Sequence, residues 1–297
     1  MVGKNMTGTW GGIEIGGTHC VCAIGTGPED IRAEISIATT TPNETIDQAV
    51  EFFLSNGKIE AVGIGSFGPV DLTPTSPRYG RITSTPKPGW HDTDIVGKVS
   101  SAIQVPVGFD TDVNAAALAE HIWGSVEGID NFVYLTVGTG IGGGTMINGR
   151  LVHGLIHPEM GHMRVPHDFS TDGFAGSCPY HGDCLEGLAS GPAIEQRWGS
   201  SPETLADQGS VWELEAFYLG LAVVNLICSL SPERIIIGGG VMEQPNLLPL
   251  VRRKVQGLLN GYMQVPDLIN CIDSYVVSPK LGNRAGVLGA IAMAQRI

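Results

Sequence analysis

The chain is short of positive charge. Its 297 residues hold 17 Lys and Arg against 30 Asp and Glu, a formal net charge of −13. Nucleic acid and anionic membranes need clustered cations, so neither is expected as a partner. A phosphate ligand would have to be held by backbone donors and a metal cation. Long apolar runs are also missing: none reaches the ~18 residues of a membrane span. The opening MVGKNMTGTW lacks the apolar stretch of a secretory signal, so a cytoplasmic location is expected. No GxxxxGK[ST] occurs, which argues against a P-loop nucleotide site. Cysteine is sparse, with six residues. In a cytosolic chain, paired cysteines more often mean metal than disulfide.

Glycine, by contrast, is abundant. Residues 136 to 146 read TVGTGIGGGTM, in which Gly138, Gly140 and Gly143 fit GxGxxG. A dinucleotide fingerprint needs a strand before the glycines and a helix after them. The strand is there, in Phe132 to Val137. Past the glycines the chain reads TMING, with β-favouring Thr145 and Ile147 and then Asn148-Gly149, a hairpin signal. The glycines therefore join two strands, and their missing side chains let backbone N–H groups approach an anion closely. The same pattern occurs in GGIEIGGTHCVCAIG, residues 11 to 25, so the chain contains a duplication.

Between the two hairpins lie a helix candidate over Glu44 to Leu54, a buried strand in AVGIGSFGPVDL and a Pro/Thr/Ser-rich loop from Pro74 to Trp90. FDTDVNAAALAEHIWG comes next and sets Asp112 at or near a helix start. Later come a long apolar helix, LEAFYLGLAVVNLICSLSP, and a strand running into glycines, RIIIGGGVM. Alternating strands and helices predict an α/β fold with substantial parallel sheet. We expect an N-terminal lobe over residues 1–114 with the last helix, about 282–297, packed back on it, and a C-terminal lobe over 115–281. A hinge is expected near 112–118.

Cys20, Cys22 and Cys228 sit in apolar patterns and read as small buried hydrophobes. CPYHGDC differs. Cys178, His181 and Cys184 are spaced by three residues, and His162 lies sixteen residues before Cys178. Together they make a Cys2His2 set suited to a closed, structural Zn2+ site. Glu159 stands three residues before His162 and Glu186 two after Cys184, so a zinc knuckle would fix both acids. Rigid carboxylates accept hydroxyl groups well, which points to a sugar or polyol.

EIGGTH, SFGPVD, TPKPGW, DTDVNAAALAE, LTVGTGIGGGTMING, HPEMGH, CPYHGDCLEGLASGPAI, IIIGGGV and LGNRAGVLGA together resemble the ROK (repressor, ORF, kinase) family of sugar kinases, most nearly its bacterial fructokinases. The resemblance runs from Gly11 nearly to the end. It implies a two-lobed hexokinase/actin-like (ribonuclease H-like) duplicated fold with ATP and sugar in an interlobe cleft, and a homodimer. It also implies phosphorylation of fructose with ATP and Mg2+. By this resemblance Asp112 is the general base, and Gly68, Thr111, Glu159, His162 and Glu186 bind sugar. Glu14 binds the cofactor, Gly16, Gly17, Thr18, Gly138, Thr139 and Gly140 form the phosphate loops, and Gly239 and Gly240 match the adenosine side. Zn2+ falls on His162, Cys178, His181 and Cys184. Three positions depart from the wider family: Glu14 replaces Asp, His19 replaces Lys, and Thr111 replaces an Asn whose amide would read ring hydroxyls. The last counts against glucose as preferred substrate. Glucose, mannose or a broader hexose range is the alternative, and a catalytically silent sugar sensor a more distant one.

Overall fold

The computed structural model describes residues 8–297, which divide into two compact units. The first takes the chain up to Glu127, together with Leu151–Pro158 and Asn283–Ile297. It begins with β1 (Trp10–Ile15), β2 (His19–Gly27) and β3 (Asp30–Ala38), then α1 (Pro42–Ser55) and β4 (Val62–Ser66). After these come α2 (Ile95–Ile103), β5 (Val107–Thr111) and α3 (Asp112–Trp123). Helix α1 starts where its sequence demands: Thr41 accepts the Glu44 N–H at 3.4 Å, and Pro42 takes the first turn, where no N–H is needed.

The second unit spans Gly128–Arg150 and Glu159–Gly282. Its elements are β6 (Phe132–Val137), β7 (Ile141–Ile147), the edge strand β8 (Arg150–Leu151), α4 (Leu185–Ala189), α5 (Gly191–Trp198) and α6 (Gly209–Leu230). Next are β9 (Arg234–Gly238), α7 (Leu247–Leu259), α8 (Pro266–Ile269), α9 (Ile272–Tyr275) and β10 (Val276–Val277). The chain returns to the first unit as α10 (Ala285–Ala294).

The duplication is explicit in the sheets. Strand order is β3-β2-β1-β4-β5 in one and β10-β9-β6-β7-β8 in the other. Each is built on an antiparallel hairpin, β1–β2 or β6–β7, whose first strand also pairs in parallel, with β4 or β9. Asn148 and Gly149 have φ of 52° and 70°, the left-handed pair that a tight β7–β8 turn needs.

In the first unit, Ile13, Ile15, Cys20, Cys22 and Ile64 form one apolar layer, while Trp10 and Ala23 pack with Val287 and Ile291 of α10 on the other. The helix comes to backbone contact. A Cβ on Gly63 would lie 1.9 Å from the Ala290 carbonyl oxygen, and one on Gly289 1.7 Å from that of Ala115 in α3. In the second unit, α6 has the length and mean hydropathy to cross a membrane, yet Trp212, Tyr218, Val223 and Ile227 bury it in the core. Cys228 departs from expectation. It is exposed, because the inward positions at this end of α6 are taken by Leu226 and Ile227. The first unit ends past α3, so residues 112–118, expected as a hinge, lie within one continuous buried helix, as does the expected lobe division at 114.

Candidate active site

In the first unit the β1–β2 turn, Gly16 to Thr18, has every carbonyl engaged. Gly16 O accepts the Thr39 hydroxyl at 2.9 Å, Thr18 O accepts the Thr39 N–H at 2.8 Å, and Gly17 O accepts the Lys87 ammonium at 2.7 Å. A Cβ on Gly17 would meet no heavy atom within 4 Å, so the space over the turn is open.

Asp112 is the first residue of α3, a position that favours negative charge. Thr111 is the cap: its hydroxyl oxygen accepts the Asn114 N–H at 3.1 Å, and the residue is buried. Burial pushes the Asp112 carboxyl up to about 6, against the pull of the Val113 N–H, which it accepts at 2.9 Å. Glu14 on β1 goes further. Burial first, and then the charge of Asp112, raise it to about 8 despite a hydrogen bond from the Val287 N–H. One of its oxygens is buried without a protein partner. Two acids whose charges oppose each other, one with an unsatisfied oxygen, suit a cation.

Sequence reasoning missed a polar cluster around Asp112. Buried Asp110 accepts the Thr111 N–H at 2.8 Å and the Asn114 amide at 2.7 Å with one oxygen, and its other oxygen meets His153 Nε2 at 2.9 Å. Asp110 thereby favours the charged form of His153. His157, inside the HPEMGH stretch, accepts the Val70 N–H at 3.0 Å, and burial lowers its pKa. It lies under the expected sugar-facing turn, since a Cβ on Gly68 would be 3.0 Å from His157 Cε1. The only sequence signal for these histidines was their spacing, four apart just ahead of Glu159.

In the second unit the β6–β7 turn is held differently. Gly138 N–H donates to Gly140 O at 2.9 Å, Gly138 O accepts the Gly191 N–H at the start of α5 at 2.8 Å, and Ile141 N–H donates to Glu186 Oε2 at 2.9 Å. A Cβ on Gly138 would stand 4.0 Å from Gly240 N, so the two expected nucleotide turns are neighbours. Gly239 has φ of 94°, left-handed backbone that favours glycine.

His162, Cys178, His181 and Cys184 converge, their ligand atoms all within 4.8 Å of one another. Cys178 Sγ lies 3.8 Å from His162 Nδ1 and 3.6 Å from His181 Nδ1, and Cys184 Sγ lies 3.6 Å from His162 Nδ1. Zinc bonded at about 2.0 Å to nitrogen and 2.3 Å to sulfur puts tetrahedral N and S about 3.5 Å apart, so the donor set fits zinc. The frame is backbone. Cys178 and Gly182 exchange N–H···O bonds of 3.2 and 2.9 Å, and Arg164 donates to His181 O at 2.7 Å. Cys184 directly precedes α4, and Glu186 sits on that helix. The knuckle therefore fixes Glu186, and Glu186 holds the glycine turn. Glu159 immediately precedes the 3-10 turn Met160–His162, its carbonyl accepting the His162 N–H at 3.0 Å.

A family model described as "ROK family" matches residues 10–297. The chain belongs to the ROK family. Two fructokinases are similar over almost the whole length, one from Zymomonas mobilis (44% identical, 98% of each chain covered) and one from Pediococcus pentosaceus (43%, with 96% and 97% covered). Among solved structures, the ROK glucokinase of Streptomyces griseus in complex with glucose and AMPPNP has TM-score 0.80 at 28% identity, covering 98% of this chain and 100% of its own. The paired five-strand sheets are thus the hexokinase/actin-like two-domain fold of ROK proteins.

Proposed function

We propose that this ROK protein transfers the γ-phosphoryl group of ATP to the 6-hydroxyl of D-fructose. The observation that carries the proposal is near-full-length similarity, at 42 to 44% identity, to four proteins each named fructokinase, against 27 to 28% for those named glucokinase. Asp112 accepts the proton of the sugar hydroxyl as its oxygen attacks the γ-phosphorus; the bond to the β,γ-bridging oxygen breaks and ADP leaves. Such transfer depends on positioning and charge neutralisation more than on covalent chemistry. The turns Gly16-Gly17-Thr18 and Gly138-Thr139-Gly140 cradle phosphate, the Gly16 and Gly138 N–H groups closing the turns themselves on His19 O and Gly140 O, with Gly239 and Gly240 on the adenosine side. Glu14 is the side chain suited to face Mg2+ arriving with ATP, or its water shell, and the ion would supply positive charge to the triphosphate. Gly68, Thr111, Glu159, His162 and Glu186 hold the sugar, Glu186 through the carboxylate oxygen not engaged by Ile141. His162, Cys178, His181 and Cys184 would hold zinc, which would supply rigidity rather than chemistry. A homodimer acting in the cytoplasm, where ATP is made available, completes the proposal.

Asp112→Asn tests the base. Its kcat on fructose should fall by roughly two to four powers of ten, with zinc content and thermal stability near wild type. A variant keeping more than about a tenth of wild-type kcat would move the base elsewhere. Because the base works ionised and its carboxyl is raised to about 6, wild-type kcat/KM should drop as pH falls through that value. A flat profile down to about pH 5 would contradict the assignment.

A further inference from the structure

The first phosphate turn contains no lysine or arginine: Gly16, Gly17 and Thr18 run directly into His19. In a chain with net charge −13 and two close acids, Glu14 and Asp112, a triphosphate needs positive charge from somewhere. We infer that Lys87, reaching the turn from the TPKPGW loop seventy residues away, is the cation that binds the terminal phosphates of the nucleotide. The inference rests on the proposed placing of phosphate at Gly16–Thr18.

Three observations carry it. The ammonium of Lys87 lies 2.7 Å from Gly17 O, over the one glycine of the turn where added carbon would meet nothing within 4 Å. An ammonium has three donors, and this bond uses one. Among the described residues no carboxylate pairs with Lys87, whereas Arg78 and Arg81 of the same loop region are paired with Asp92 and Asp94. The loop is also fixed in place. Trp90 is fully buried, its indole N–H donates to Thr40 O at 2.8 Å, and its ring packs edge-on to Phe67. Lys87 itself donates its N–H to the Thr85 hydroxyl at 3.3 Å and accepts the Trp90 N–H at 3.2 Å, with Pro86 and Pro88 on either side. The backbone is held, so the side chain delivers a point charge to a defined place, as lysine does where it binds phosphate. With Lys87 bound, all three turn carbonyls have donors, which reduces their repulsion of an incoming anion.

Calorimetric titration with MgAMPPNP and, separately, with AMP tests this without any sugar. Lys87→Met should weaken MgAMPPNP by about 10- to 100-fold, the worth of a charged hydrogen bond, and leave AMP within about twofold. Lys87→Arg should recover most of the loss, and raising salt should narrow the gap between wild type and Lys87→Met. In steady state on fructose, the KM for ATP should rise while that for fructose stays within about twofold. Unchanged MgAMPPNP affinity in Lys87→Met overturns the inference, as does equal weakening of AMP, which would mean a damaged turn. A wild type that binds MgAMPPNP yet phosphorylates no hexose would remove the proposed activity and leave the Lys87 result standing by itself.

Discussion

The two glycine hairpins share a sheet position and a strand order but differ in what supports them. The first is tied by the hydroxyl and amide of Thr39 and by the Lys87 ammonium, which reaches in from a loop seventy residues on. The second is tied by a carboxylate and a helix start, Glu186 and Gly191, and Glu186 is fixed in turn by the Cys184 end of the metal knuckle. The same backbone hairpin occurs twice, and each copy has its own support. Support for the first hairpin comes from a hydroxyl, an amide and an ammonium; support for the second runs through the His/Cys cluster.

The strongest way to break this comparison is at the metal. Cys184→Ser should lower zinc below about half an equivalent and cost on the order of 10 °C in Tm, because a structural zinc contributes folding energy directly. Nucleotide binding should fall with it, since the second turn loses its anchor. Metal analysis beside a melting curve checks both. Full zinc in Cys184→Ser, or its loss with Tm and AMPPNP affinity intact, would uncouple knuckle from turn.

A finer contrast comes from the turns themselves. Gly17→Val enters open space, so it should fold like wild type while ATP affinity falls at least about tenfold, its side chain standing where phosphate oxygen should lie. Gly140→Val should lose affinity and stability together, because its Cβ would meet Glu186 Oε2 at 2.7 Å. Equal melting temperatures for the two variants would erase the difference in support. If Gly17→Val binds ATP normally, the first hairpin is only a turn.

The smallest effect belongs to Glu14. Its folded pKa, about 8, lies above the usual carboxylate value, so the native state holds a proton that the unfolded state releases. Stability is therefore lost as pH rises from the ordinary carboxylate range through about 8. Glu14→Gln should remove that dependence and be more stable than wild type by roughly 1–3 kcal/mol near pH 9, with little difference near pH 4. Parallel denaturant melts across that range check the slope. A wild type whose stability does not decline over it would contradict the assignment.

Both hairpins, the helix start at Asp112 and the convergence of Cys178, His181 and Cys184 were legible in sequence because each rests on short-range pattern: glycines between β-rich runs, a capping position before helix formers, His and Cys three residues apart. What was not legible depends on distant segments. Lys87 meets Gly17 across seventy residues, and His157 meets Val70 across eighty-seven. The Asp110–His153 pair needs a strand end and a later loop in the same unit, and neither residue alone differs from a solvated polar group in sequence. Cys228 shows the reverse error, since a strongly apolar helix still exposes one side at its end. Sequence sets the lobe division at residue 114, whereas α3, which begins at Asp112, packs against α10 and falls wholly in the first compact unit, a long-range contact that no local pattern announces.

The central claim is phosphorylation of fructose, and the most direct measurement is a coupled ADP-release assay of the zinc-replete wild type over fructose, glucose, mannose and other hexoses with MgATP, with the product identified chemically. Fructose should give the highest kcat/KM, with fructose 6-phosphate as the product. Faster turnover of glucose or mannose, or phosphate placed on another hydroxyl, would contradict it.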